Sequence, residues 1–216
     1  MRECFVHIVL PGETAFVPAA RFQPVGDRDV LLVKRFDREA GSGGYRRARM
    51  LSALTLLRAG ESIRDRDRWS YPLLAEELRR LSTRPREDAE ELFRRMAFNA
   101  LISNSDDHPR NHAFIAFDDD WQLSPAYDLT PTVPPSLERR DLALTCGDQG
   151  RRANVENLLS QCGRFLLARE AAAKILDDME AQVRARWYEV ARRDGVSERD
   201  CERIAGAFAY PGFRYA

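Results

Sequence analysis

Residues 103–132, SNSDDHPRNHAFIAFDDDWQLSPAYDLTPT, concentrate the reactive side chains of this chain. They include two of its three histidines, His108 and His112, and the adjacent carboxylates Asp106 and Asp107. Arg110, Asn111, Tyr127 and Asp128 follow. Phosphoryl transfer asks for such a set. One carboxylate accepts or orients a hydroxyl nucleophile, while an amide oxygen near it and a carboxylate from another element hold a metal. Asp106-x-x-x-x-Asn111, followed after a short hairpin by Asp128, has that order. Arg110, a cation beside the base, can neutralise a transferring phosphate.

Each feature has an ordinary alternative. Asp and Asn populate loops because their side chains bond to nearby backbone, so a lone D-x-x-x-x-N means little. The combination carries the reading: D-D-H-P-R-N, a hairpin, then P-A-Y-D. A metal hydrolase built on His108 and His112 is a rival. Their spacing suits a helix, which Pro109 disfavours, and no third strong ligand lies nearby in sequence. Asp118, Asp119 and Asp120 look like a metal trap, but adjacent carboxylates face different ways, so a solvated hairpin turn is expected. Gly41-Ser42-Gly43-Gly44 lacks the G-x-G-x-x-G spacing of a phosphate loop and is expected to be a flexible connection.

The elements that must position these residues can be read from periodicity. Residues 87–103 form the strongest helix. Pro85 stands near its start, and Glu87, Asp88, Glu90 and Glu91 crowd its first turns, where the helix dipole favours negative charge. Its second half, LFRRMAFNALIS, is apolar on most sides, so the helix is buried and delivers the reactive segment from the interior. HAFIAF and WQL read as two short strands joined by the aspartate turn. Upstream, DVLLVKRF at residues 29–36 reads as a buried strand, with a second strand near residues 20–25. Residues 46–58 and 71–82 read as helices around a polar DRDRW connection, the second with Leu73, Leu74, Leu78 and Leu81 on one side. Downstream, LALTC is strand-like. Residues 168–193 form a long amphipathic helix with a stripe of Ala172, Leu176, Met179, Val183, Trp187 and Val190. Asp194-Gly195 breaks it, and Ser197 caps a closing helix.

Composition narrows the classes. The 216 residues allow one domain or two small ones. The 34 basic and 34 acidic residues cancel, which removes the global electrostatic argument for nucleic-acid binding. Lys34 and Lys174 are the only lysines, so a mechanism needing one has two candidates. The four cysteines, Cys4, Cys146, Cys162 and Cys201, are scattered without a C-x-x-C, so reduced thiols are expected rather than zinc or disulfides. No apolar run has membrane-spanning length. Glu3, His7 and Pro11 spoil the N-terminal apolar patch as a signal peptide, so a cytoplasmic location is expected.

LFRRMAFNALISNSDDHPRNHAFI…WQLSPAYDLTPT, residues 92–132, resembles the kinase core of the HipA family, the serine/threonine-protein kinase toxins of bacterial toxin–antitoxin pairs. LLVKRFDR resembles that family's strand ending in E-R-F-D-R, and LLSQCGRFLLAREAAAKILDDM…W its C-terminal helices. Similar D-x-H-x-x-N loops occur in phosphoinositide-kinase-like enzymes. The likeness runs from about Val17 to the C-terminus. It implies an α+β, mostly helical fold: a protein-kinase-like C-lobe with a hinge strand and a small catalytic β-hairpin. Residues 1–37 would be an N-lobe remnant with the hinge, and residues 38–216 the C-lobe.

The resemblance implies phosphoryl transfer from Mg-ATP to a protein hydroxyl. Asp106 would be the catalytic base, and Asn111 and Asp128 the Mg²⁺ ligands. His108 and Arg110 would support the loop and the phosphates. The backbones of Lys34 and Phe36 would bond the purine edge of ATP, Asp37 the ribose, and Tyr127 would pack on the ring. The implied partners are a protein substrate and a HipB-like helix-turn-helix antitoxin, with DNA contacted only through that partner and no membrane. The chain departs from the family in one respect. A HipA-like N-lobe carries a phosphate-covering loop and a strand lysine, yet no lysine precedes Lys34, which itself stands where the family usually has Glu. The alternative expectation is a truncated or split, inactive lobe that binds an antitoxin or a separate N-lobe polypeptide.

Overall fold

A computed structural model describes residues 4–9, 16–25, 28–33, 35–133, 136 and 138–215, with side chains from residue 35 onward. The first three strands, β1 (Cys4–Val9), β2 (Phe16–Val25) and β3 (Arg28–Val33), form an antiparallel meander. The register of β1 on β2 shifts between Val6 and His7, where His7 meets Pro18. Proline donates no ladder bond, so a bulge there costs the sheet little. The expected strand over residues 29–36 thus ends at Val33, and Lys34 lies outside the described residues.

Two expectations for the next segment are corrected. Residues 41–44 are a hairpin, not a flexible loop: β4 (Arg38–Gly41) pairs with β5 (Gly44–Arg47). The reversal is tight enough to need Gly44 at φ 125°, a conformation open to glycine. The helix expected over residues 46–58 is strand up to Ser52 apart from Ala48. β6 (Arg49–Ser52) pairs with β7 (Ala113–Ala116), which pairs with β8 (Gln122–Leu123). Only a single turn, α1 (Ala53–Leu56), follows, capped where the Ser52 side chain accepts from the Thr55 amide. The local helical pattern lost to a pairing partner more than sixty positions away.

The helical core follows the sequence more closely. The DRDRW connection is a short 3₁₀ turn, Ile63–Arg68. α2 (Tyr71–Leu81) is capped by Ser70 and buries Tyr71, Leu74, Ala75 and Leu78. Leu73 is 39% exposed, which corrects its assignment to the apolar side, because the buried face follows the 3.6-residue period from Tyr71. α3 (Pro85–Leu101) runs through the centre with Leu92, Phe93, Met96, Ala97 and Ala100 fully buried. Burial of each large apolar side chain contributes about 1.5–3 kcal/mol. Phe93 meets Phe165 edge to face at 5.4 Å. The buried Asp88 accepts from the Ser82 hydroxyl at 2.7 Å and the Leu123 amide at 2.9 Å, tying the start of α3 to β8.

α4 (Val155–Ser160), α5 (Arg169–Arg193) and α6 (Glu198–Ile204) complete the lobe, with Ser197 capping α6 as expected. Residues 142–146 form no strand, only the single bridge of Thr145 to Ser70, because Ser70 continues at once into α2. Asp118, Asp119 and Asp120 are an exposed turn, with Asp118 and Asp119 paired to Arg46 and Arg49. Cys146, Cys162 and Cys201 are free and buried, and burial pushes the Cys146 thiol well up. No helix among the described residues is long and apolar enough to cross a membrane.

Candidate active site

α3 stops where Ser103 turns left-handed, at φ 57°. The turn is held by the Asn104 amide donating to the Asn99 carbonyl at 2.9 Å and by the Ser103 hydroxyl donating to the Ala207 carbonyl at 2.6 Å. The chain then enters the loop Ser105 to His108 and a 3₁₀ turn, Pro109–Asn111, before joining β7. This loop has an inner and an outer side.

The inner side is a buried polar network. Asp107, 1% exposed as a side chain, accepts from the Tyr71 hydroxyl of α2 and lies 3.0 Å from His112 Nε2. Asn99 donates to the Tyr71 oxygen at 3.1 Å. Asn104 donates to Asn99 Oδ1 at 3.1 Å and to the Asp128 carbonyl at 3.2 Å. The His112 ring stands edge-on to Tyr71, with centroids 5.3 Å apart. The network ties the loop to α2 and α3, although His112 Nδ1 has no partner among the described residues.

The outer side faces a cleft. Asp106, Arg110 and Asp128 are exposed. The Asp106 carbonyl accepts from the His108 amide at 2.8 Å and from Asn111 Nδ2 at 3.3 Å. Asn111 therefore braces the backbone that carries the Asp106 carboxylate. Arg110 Nε pairs with Glu61 at 2.5 Å, and its carbonyl accepts from the Tyr127 hydroxyl at 2.6 Å. Burial first, with Asp128 and Asp107 adding, pushes the Tyr127 phenol up to about 12, against the nearby Arg95 charge. It therefore stays a donor at neutral pH. Phe36 stacks on Tyr127 with centroids 5.8 Å apart, which brings the segment after β3 onto the same face. Both Asp37 carboxylate oxygens accept from Arg35 at 2.6 Å, and this pairing holds the Asp37 carboxyl below its usual range.

The sequence profile of the HipA-like C-terminal domain matches residues 14–187. This chain belongs to that family. Among solved structures, it is similar to HipA of Shewanella oneidensis MR-1, determined as a toxin–antitoxin complex with HipB and operator DNA. The TM-score is 0.68 at 18% identity, over 87% of this chain and 48% of that one. The chain thus spans about half the length of that structure. No curated protein matches it. The fold is the α+β, kinase-like fold of HipA.

In this HipA-like lobe, two separate groups of the expected site residues are in direct contact, Asp106 with Asn111 and Arg110 with Tyr127 and Phe36, while Asp128 bonds to Asn104 and Asp37 to Arg35. His108 lies half-buried beside them, its Nδ1 without a partner among the described residues. Asp37 faces Arg35, whose guanidinium occupies both carboxylate oxygens. Sequence reasoning missed the inner network. Its one local signal was Asn99, a polar residue in the otherwise apolar second half of α3.

The donor set can be tested against a metal. Among the described residues, no three His, Cys, Asp or Glu side chains converge. Asn111 and Asp128 offer an amide oxygen and a carboxylate, the hard donors that suit Mg²⁺ when substrate phosphates and water complete the shell. Asp128 is left-handed, at φ 58°, and its carbonyl is held by Asn104. A non-glycine residue there costs about 1 kcal/mol, and such strain gathers at functional positions.

Proposed function

We propose that this chain is the catalytic lobe of a HipA-type serine/threonine-protein kinase, transferring phosphoryl from Mg-ATP to a protein hydroxyl. The observation that carries the reading is the division of the aspartate pair. Asp107 is locked inside, and Asp106 alone presents its carboxylate to the cleft, on backbone braced by Asn111. Asp106 accepts the proton of the acceptor hydroxyl as it attacks. Asn111 Oδ1, which accepts no bond among the described residues, and Asp128 would hold Mg²⁺. Arg110 and His108 stabilise the loop and the phosphate side. Mg-ATP supplies the phosphoryl group and the divalent charge that neutralises it.

On this reading residues 1–37 are the hinge with part of an N-lobe and residues 38–216 the C-lobe. The hinge backbone at Lys34 and Phe36 takes the purine edge, Asp37 exchanges Arg35 for the ribose, and Tyr127 packs on the ring. A HipB-like antitoxin is the expected partner and carries any DNA contact. Calorimetry of Mg-ATP binding tests the proposal, with Asp128→Asn as control. Mg²⁺-dependent binding that the variant loses supports it. ATP binding that ignores both Mg²⁺ and the variant sinks it.

A specific observation favours a second reading, a binding lobe without activity of its own. No lysine precedes Lys34, and Lys174 pairs with Asp178 on the exposed side of α5 at 2.8 Å. Lys174 is thus engaged away from the loop that carries Asp106. Phosphotransfer that appears only after a lysine-bearing N-lobe polypeptide is added distinguishes the two.

A further inference from the structure

We infer that the pocket between Ser105 and residues 132–142 binds a phosphate group, free or carried as a small monoester. The inference stands apart from the kinase reading and uses neither Asp106 nor Asp128. The pocket has a volume of about 190 Å³, and Ser103, Ser105, Thr132, Arg139, Arg140 and Asp141 line it. Two stretches of chain meet there. Ser103 and Ser105 leave the end of α3, while Thr132 and residues 139–141 belong to the irregular stretch between β8 and α4.

Arg140 is the centre of the site. It is 7% exposed, and its hydrogen bonds run to neutral oxygens. Nε and Nη2 donate to the Ser136 carbonyl at 3.0 and 2.9 Å, Nη2 also to the Gly206 carbonyl at 2.9 Å, and Nη1 to the Ser103 hydroxyl. The guanidinium lies over the Tyr210 ring at 4.2 Å. Burial draws its pKa down, and Tyr210 opposes that shift. Arginine nevertheless stays charged in proteins, and a buried charge without a counter-ion is costly. A guanidinium has five N–H groups. The bonds named leave one on Nη1, so a buried cation with a spare donor faces the pocket.

The remaining lining suits the same ligand. The Ser105 and Thr132 side chains make no hydrogen bond among the described residues, so both hydroxyls are available. Asp141 is engaged by Arg139, its two carboxylate oxygens at 3.1 and 3.2 Å. Two guanidinia and one carboxylate leave the pocket net positive. Its donors come from separate segments and meet a tetrahedral anion from several directions, whereas a planar carboxylate offers two oxygens. The volume equals that of about six liquid water molecules, enough for a phosphate with a short ester substituent and too little for a nucleotide.

Titration calorimetry of the full chain with inorganic phosphate, at neutral pH and constant ionic strength, tests the site. One saturable site is expected. Thr132→Val and Ser105→Ala should each weaken it by about tenfold, the worth of a hydrogen bond to a charged group. Neither hydroxyl is bonded within the protein, so both variants should melt like the parent. Arg140→Lys keeps the charge without the fork and should weaken binding further. Should it fail to fold, the two hydroxyl variants still decide. Glycerol 3-phosphate separates the sources. Tighter binding than inorganic phosphate assigns the site to a monoester, and equal or weaker binding assigns it to the free ion. No saturable binding, or binding that survives both hydroxyl substitutions made together, overturns the inference. So does phosphate that Mg-ATP displaces and Asp128→Asn abolishes, because that phosphate would occupy the nucleotide site. Mg-ATP binding without phosphate binding defeats this inference alone. Phosphate binding without Mg-ATP binding upholds it and defeats the kinase reading.

Discussion

Asp106 and Asp107 are adjacent and chemically identical, and the fold gives them opposite surroundings. Asp107 is enclosed by Tyr71 and His112, with Asn99 behind Tyr71. Asp106 is exposed, and its hydrogen bonds among the described residues run through its backbone carbonyl. One loop thus carries a buried, bonded carboxylate and an exposed one. The inner residue anchors the loop to α2 and α3, and the anchoring lets the outer residue stay free in a defined place. A base that must exchange a proton with substrate cannot also be a saturated member of a buried network.

Substitution at the two positions should separate the roles. Asp106→Asn should lower phosphotransfer by about 10²–10⁴-fold, the usual worth of a general base, and leave the melting temperature unchanged. A parallel loss of stability would put Asp106 into the structural set. Asp107→Ala should do the reverse in kind. It strands the Tyr71 hydroxyl and the His112 ring in the interior, so urea unfolding should show a loss of about 2–4 kcal/mol. Asp107→Asn keeps an acceptor for Tyr71 and should lose less.

A second contrast lies in Asn104, which links the two sides. Asn104→Ala frees the Asp128 carbonyl and Asn99 Oδ1 together. It should cost about 1 kcal/mol in stability and weaken Mg-ATP binding in calorimetry, because Asp128 then samples other backbone conformations. Asp128→Gly should separate the same quantities with opposite signs. Glycine accepts φ 58° without strain, so thermal unfolding should show a gain of up to about 1 kcal/mol while Mg²⁺-dependent ATP binding disappears. A Gly variant less stable than the parent would mean that the left-handed turn carries no strain.

The same division explains what was legible in the sequence. α3 announced itself through Pro85, its acidic first turns and its apolar second half. The strands around Asp118 and the capped start of α6 were equally local. The failures were pairings set at long range. Arg49–Ser52 has helical neighbours and no local mark of the β7 partner that claims it. Tyr71 reads as the first residue of an amphipathic helix, and nothing near it in sequence points to Asp107. The reactive residues were visible because they crowd one segment. Their anchors, Tyr71 and Asn99, were not, because α2 and α3 bring them in from elsewhere. The α5 stripe was half legible. Ala172 and Leu176 are buried, while Met179, Val183 and Trp187 line an open apolar groove with Phe98 and Phe208.

The smallest expected effect sharpens the contrast at a third carboxylate, Asp37. Its side chain is 12% exposed where that of Asp107 is 1%, and its hydrogen bonds among the described residues come from Arg35, 62% exposed as a side chain, with Arg38 3.9 Å away. The Arg35 hydrogen bonds lower the Asp37 pKa in the folded state. A depressed folded value makes the pair stabilising above the unfolded aspartate value near 3.9, and that contribution fades as pH falls through the folded value. Because Arg35 is exposed, solvent and salt screen the pair and its worth is small. Arg35→Ala should therefore melt slightly lower than the parent at pH 7, and the gap should close on acidification below about pH 4. If Asp37 takes a ribose hydroxyl, the same variant removes a competitor for it. Calorimetry should then show Mg-ATP affinity unchanged or slightly higher despite the lower melting point. A fall in affinity would instead make Arg35 part of the nucleotide contact, and the Asp37 site would belong with the exposed reactive face rather than with the anchoring set.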